Sequence, residues 1–335
     1  MKRLKKNVES IRLILVFFMT FLIFYLLKTL SSIVLPLILA FFFSLLLYPV
    51  ISFLHKKGIP SALALVLSGL LVLLIAGSII ETIRISILQL YGEKAELTRL
   101  VTVKMNELGL SMSDVQQKFT EFAGPIRWSR VLATVGGSLT SLAGSMFIML
   151  IYLFIILGGM VKYKEYFRSL EEKENGEWLQ IFEEIKRSIS IYIQVKFFTS
   201  FATGLCFGLT AYFFNLDFPL FWGFMAFCLN FIPSFGSFAV TIVLILFGGL
   251  YISYANLWVF ALLLVFIQVF FGNIVEPKFL DYRLSINMLT ILFGLIFWGY
   301  ILGPIGLLLA VPLLVLVKLI LKRQNGTKIL AKLME

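Results

Sequence analysis

Long apolar runs separated by short polar ones dominate the chain, at roughly residues 11–30, 33–54, 61–80, 138–160, 193–214, 219–250, 251–272 and 287–320. About 20 apolar residues carry a helix across the ~30 Å hydrocarbon core, so the pattern predicts a bundle of membrane-spanning helices. Two runs are interrupted, at Asn230-Phe231-Ile232-Pro233-Ser234-Phe235-Gly236 and at Gly299-Tyr300-Ile301-Leu302-Gly303-Pro304-Ile305-Gly306. The halves flanking each interruption, at about 12 to 14 residues, reach only roughly 20 Å as helices. Two re-entrant hairpins are therefore expected. Non-helical backbone at membrane depth survives only where protein or a wet cavity satisfies its N–H and C=O groups, so the breaks mark a candidate pathway for a solute.

Between the third and fourth runs lies a polar stretch in which Ile83, Ile87, Leu90, Leu97, Val101, Met105 and Leu108 keep helical spacing and Gly109 stands as a C′ stop. Ser113 with Gln116 forms a capping box for a further helix carrying Val115, Phe119 and Phe122. Such stripes pack on each other or on a neighbouring protomer. A second polar stretch runs from Lys162 to Arg187, with Trp178, Phe182, Ile185 and Ile189 forming the stripe of an interfacial helix. Gly136, Thr140, Gly144 and Gly137, Ser141, Ser145 give small-xxx-small spacing suited to close helix approach. Thr134-Val135-Gly136 is not followed by the Tyr-Gly of a potassium filter, which leaves packing as the reading.

Composition removes other classes. With 60% hydrophobic residues, 14% charged and a mean hydropathy of +0.99, the chain is a polytopic membrane protein and not a water-soluble domain. The formal net charge of +11 sits in the N-terminal cluster, in His55-Lys56-Lys57 and in Lys322-Arg323, beside apolar runs. This is positive-inside patterning, not a nucleic-acid surface, and it places both termini in the cytoplasm. With no small-residue cleavage site after the basic N-terminus, the first run reads as an uncleaved span. Cys206 and Cys228 lie in apolar runs, and His55 is the one histidine, so no metal site or disulfide framework is expected. A phosphate-binding Gly-x-x-x-x-Gly-Lys-Ser/Thr loop is missing, as are paired carboxylates or a Ser/His/Asp set, which speaks against an enzyme or a cofactor.

Intramembrane polar residues are few. Lys28 and Lys196 are expected to snorkel, and Asp217 and Asp281 to sit in loops. Glu276 ends an apolar run, where Pro277 disfavours continuing the helix; it is either a solvated loop partner of Lys278 or a polar group at the cytoplasmic mouth of a path. Asn230 either caps the break or meets the solute. Gln194 and Gln268 either bond between helices or line the path.

Leu229-Asn230-Phe231-Ile232-Pro233-Ser234-Phe235-Gly236, Gly272-Asn273-Ile274-Val275-Glu276-Pro277-Lys278-Phe279-Leu280 and Gly303-Pro304-Ile305-Gly306 with Ala310-Val311-Pro312 occur in that order. Together they resemble the AI-2E family of bacterial membrane transporters over nearly the whole chain. The resemblance implies export of a small polar organic solute such as autoinducer-2, or in other members of different small organics or monovalent cation/proton exchange. It also implies a homo-oligomer, with a pentamer as the expected assembly. Two departures stand out: Asp281 replaces an expected Gly, and Asn287-Met288 replaces a Pro-containing step.

The expected architecture is all-α, with about six full transmembrane helices and two broken hairpins. Residues 1–80 form N-terminal spans, 81–135 an extracytoplasmic helical insert, 136–160 a span, 161–192 a cytoplasmic interfacial segment, 193–321 the transport region and 322–335 a basic cytoplasmic tail. The expected function is an inner-membrane exporter or permease working by alternating access, its path shaped by Asn230, Pro233, Gly236, Asn273, Glu276, Pro277, Gly303 and Pro304, with Gln194 and Gln268 as polar lining. Proton or cation coupling is compatible with it. A sodium or lithium/proton antiporter is the first rival, weakened because no Asp or Glu lies well within a run, and a non-transporting scaffold is the second. Phe221-Trp222-Gly223 and Phe297-Trp298-Gly299 precede the two breaks as a weak internal repeat.

Overall fold

The computed structural model describes residues 14–15, 18–19, 21–92, 94–107, 109, 144–159, 177–233, 235–280, 286–323 and 327–335, and every regular element among them is a helix. In order these are α1 over 21–29, α2 Ser31–Lys56, α3 Ser61–Gly92, α4 Lys94–Glu107, α5 Gly144–Gly159, α6 Glu177–Phe213, α7 Pro219–Leu229, α8 Phe235–Tyr251 and α9 Tyr254–Val269. A π-helical segment, Phe270–Val275, then runs into α10 Glu276–Phe279, followed by α11 Met288–Leu302, α12 Pro304–Arg323 and α13 Lys328–Leu333. The Ser113 capping box, the 136–143 part of the small-residue stripe, Ser234 and Asp281 lie outside the described residues, as do the side chains of Trp178, Phe182 and Ile185.

Among the described residues, 5 stretches are long and apolar enough to cross a membrane: Ser31–Lys56, Ala62–Ser86, Lys186–Phe213, Tyr254–Phe279 and Pro304–Lys322. The chain is thus a multi-pass membrane protein. Equal short halves around each break are not what the structure has. α7 and α8 are 11 and 17 residues long, whereas α11 and α12 are 15 and 20. Gly303, at φ +67° and ψ −153°, ends α11 in backbone that favours glycine, and Pro304 opens α12 where its missing N–H costs nothing. Pro312 leaves α12 uninterrupted, which gives this half a full crossing length.

The helix α6, at 37 residues, ties two cores together. Its early part puts Ile189, Tyr192 and Ile193 into one core with Leu45 of α2, Leu153 of α5, and Trp298 and Val315 of the α11–α12 pair. Its later part puts Phe207 and Ala211 into the other, with Trp222 of α7, Leu244 of α8 and Phe260 of α9. Each broken pair therefore belongs to a different core. The seam between the cores runs past the middle of α6.

A close approach between α6 and α7 lies where sequence reading did not place one. A Cβ added to Gly204 would stand 2.6 Å from the Gly223 carbonyl oxygen, and one added to Gly223 would stand 2.8 Å from that of Gly204. Gly208 faces the Pro219 carbonyl in the same way at 3.2 Å. Gly204-x-x-x-Gly208 is the small-residue spacing that lets α6 and α7 touch backbone to backbone. At Gly144, by contrast, a Cβ would meet nothing within 4 Å among the described residues.

α3 continues as one 32-residue helix beyond the expected end of its span, so the first part of the insert is an extension of it. α4 comes next, and Gly109, at φ +69°, fits the stop read from sequence. α4 packs against α8, and the Tyr254 hydroxyl at the start of α9 donates to Glu107 at 3.4 Å. Lys104 pairs with the same carboxylate at 3.0 Å.

Candidate functional site

At the seam, α6 presents Tyr192 and Lys196 one turn apart, both nearly fully buried. Lys196 does not snorkel. Its Nζ donates to both carboxylate oxygens of Glu276, at 2.9 and 2.8 Å, and the lysine side chain is only 4% exposed. Glu276 reaches it because the π-helical turn Phe270–Val275 adds a residue to the helix and rotates the next turn about the axis. The chain then stays helical through Pro277, which occupies the first turn of α10, where no N–H is required. Two expectations are corrected here. The helix does not stop before Glu276, and Glu276 is no solvated partner of Lys278 but half of a buried pair, itself 15% exposed.

A cavity of about 200 Å³ opens beside Lys196. Phe42 and Phe43 of α2, Tyr192 and Phe197 of α6, Cys228 and Phe231 at the first break, and Ile305 and Pro312 of α12 line it. The residues flanking the two breaks thus face one another across a single space. None of the path residues singled out from sequence lines this space: Glu276 stands behind Lys196, and Asn230, Pro233, Gly303 and Pro304 are only chain neighbours of the lining residues Phe231 and Ile305. Asn273 and Pro277 expose their side chains on the outside of their helix, and Pro304 is exposed too.

The buried amides do structural work at the first break. Asn230 Nδ2 donates to Ser200 Oγ on α6 at 3.0 Å, a bond between helices and neither a cap on the break nor a free group. Gln268 Nε2 donates to Ser237 Oγ, joining α9 to α8, while its Oε1 is buried with no hydrogen-bond partner among the described residues. Gln194 Nε2 donates to Ser190 Oγ on its own helix at 2.7 Å, and Ser190 Oγ donates onward to the Leu45 carbonyl of α2 at 3.3 Å. Lys28 rests over the Tyr300 ring at 3.3 Å, which fixes α1 against α11.

Both breaks are held by a glycine under a carbonyl. A Cβ on Gly236 would lie 1.8 Å from the Leu229 carbonyl oxygen, and one on Gly306 would lie 2.0 Å from that of Trp298. The paired Phe-Trp-Gly triplets are not equivalent, however: the Trp298 carbonyl sits at its break, whereas the Trp222 ring packs on Phe247, 5.0 Å away, in the second core. Lys196 is the functional candidate that sequence reading passed over. Its signal was available, as one cation in the apolar run 193–214 and one acid at the end of the run 251–272.

A family model described as AI-2E family transporter matches residues 13–326. The chain belongs to the AI-2E transporter family. The AI-2 transport protein TqsA of Escherichia coli is 36% identical over 151 residues, covering 44% of this chain and 43% of that protein. A putative transport protein of Borreliella burgdorferi is 32% identical over 164 residues, 48% of this chain and 45% of its own length. The putative transport protein YueF of Bacillus subtilis is 27% identical over 224 residues, 65% of this chain and 59% of its own length. The chain spans less than half the length of the first two relatives.

Proposed function

We propose that this AI-2E family member is a bacterial inner-membrane exporter of a small polar organic solute of the autoinducer-2 kind, working by alternating access with both termini in the cytoplasm. The observation that carries the reading is the cavity shared by the two breaks, with the buried Lys196 among its lining residues. Broken helices in secondary transporters end at the substrate site, where backbone left unpaired by the break can serve a polar solute. Here α7 and α8 place their buried residues in one core and α11 and α12 in the other, with Ile232 of the first break packed on the latter, so a small rocking of one core against the other would open the space to either side. In that motion α6 is the element common to both bodies. Pro233, Gly236, Gly303 and Pro304 shape the breaks, and Glu276 holds the Lys196 side chain in place through two hydrogen bonds. Exposed apolar faces meet lipid and, in the homo-oligomer the family resemblance implies, other copies of the chain.

The test is uptake into inside-out vesicles carrying the expressed chain, with autoinducer-2, other small neutral organics, and sodium or lithium offered in parallel. Accumulation of a neutral organic above control vesicles is the expected outcome. Movement of sodium or lithium with protons, and of no organic solute, would replace the reading with antiport. No movement of any solute by well-expressed protein would leave a scaffold.

A further inference from the structure

Independently of any solute, the geometry points to a two-position hinge across the seam: the turn Phe270–Val275 keeps its π winding while the Lys196–Glu276 pair is closed, and takes the ordinary α winding when the pair opens. A π turn carries one residue more than the α-helix it interrupts, so rewinding moves everything after it on by one position, about 100° round the axis and about 1.5 Å along it. Val275 then takes the place that Glu276 leaves beside Lys196. Glu276 itself turns away from α6.

The stretch joins the two cores. Phe271 packs on the edge of the second core and Leu280 on the first, so a longer, rotated link between them loosens the seam. Little besides the ion pair opposes the rotation. Neither Phe270–Val275 nor α10 contains a buried residue, and Pro277, Lys278 and Phe279 are exposed. Leu280, in extended backbone at ψ 130°, can absorb the change beyond α10. Gly272 and Asn273 are poor helix formers, which leaves the turn without a strong preference for either winding. What selects the π winding is Lys196. Its side chain is 4% exposed, and an ammonium buried to that degree without its carboxylate is costly, so the winding that presents Glu276 is held.

Hydrogen–deuterium exchange of the full chain in nanodiscs, read by mass spectrometry over residues 270–280, tests the hinge. Each rewinding breaks the hydrogen bonds of the turn, so its amides exchange at a rate that the pair limits. Lys196→Met with Glu276→Gln opens the catch without leaving a buried charge, and should speed exchange over 270–280 severalfold while α2 exchanges as in the wild type. Deleting Gly272 from that double variant removes the extra residue, leaves a single α winding and should return exchange to the wild-type rate or below; deletion of Asn273 serves if that protein misfolds. The rotation is read by cross-linking in Cys206→Ala, Cys228→Ala protein. A short bis-methanethiosulfonate should join Lys196→Cys to Glu276→Cys and, in a separate Glu276→Gln protein, to Val275→Cys; after the deletion only the first link should form. Unchanged exchange in the double variant, fast exchange that persists after the deletion, either cross-link missing from the undeleted chain, or a Val275→Cys link that survives the deletion would each overturn the proposal. None of these readings depends on transport, so the exporter reading and the hinge stand or fall separately.

Discussion

Single residues carry most of the specification at the seam, and the buried pair is the clearest case. Removing one partner of a buried ion pair leaves the other charged in apolar surroundings, which costs about 3 kcal/mol or more, whereas removing both costs far less. Lys196→Met alone should therefore lower the melting temperature clearly, and adding Glu276→Gln should restore most of the loss; additive losses measured by thermal unfolding in detergent would mean that the two side chains do not depend on each other. Glycine acts through what it leaves out. At Gly204 an alanine methyl would press on the Gly223 carbonyl, so Gly204→Ala should cost about 1–3 kcal/mol in the same assay. Unchanged stability would show that α6 and α7 are not in backbone contact. Gly236 and Gly306 were legible in the sequence as breaks, because Pro and Gly inside apolar runs have few other meanings. Gly204 and Gly208 were not, because a Gly pair in a chain with 24 glycines gains significance only when the partner helix is known.

Elements owe their lengths to local chemistry, and the start of α11 shows how one asparagine is used. Asn287 Oδ1 accepts from the Thr290 N–H at 2.7 Å, capping α11, while its own backbone N–H and Nδ2 donate to the Met334 and Leu333 carbonyls at 2.9 and 2.8 Å. Proline at this position would supply none of these three bonds. Together with the Lys318–Glu335 contact at 3.2 Å, they strap α13 across the foot of the α11–α12 pair. Asn287→Ala should speed tryptic cleavage at Lys328 and Lys332 severalfold in the folded protein, since the tail loses a tether and α11 loses a cap of about 1 kcal/mol. Equal cleavage rates would mean that the tail docks without this residue. The apolar runs gave α2 its place to within a turn and α6 its end, but α6 begins at Glu177, well before the run read from 193, because its first turns carry the polar residues that precede the span. The π-helical turn before Glu276 was beyond them: a one-residue insertion in a helix leaves no mark on hydropathy, so Pro277 looked like an end when the chain in fact passes through it as helix.

At the scale of the whole molecule, two cores joined by one long helix place both breaks around a common space, and that arrangement was only half visible in advance. Sequence showed that two broken segments exist. It could not show that Cys228 and Phe231 from one face Ile305 and Pro312 from the other, because contacts between distant runs arise from packing and not from periodicity. Solute is expected to pass through this space, and the chain carries its own probe there. Cys228 lines the cavity, while the other cysteine, Cys206, packs against the second core. In Cys206→Ala protein, a small methanethiosulfonate reagent that attaches to Cys228 should block transport of whichever solute the vesicle assay identifies, and saturating solute should slow the labelling. Cys206→Ala, Cys228→Ala protein should transport and ignore the reagent. Full transport after complete labelling of Cys228, with labelling unaffected by solute, would contradict the claim that the cavity between the breaks is the pathway.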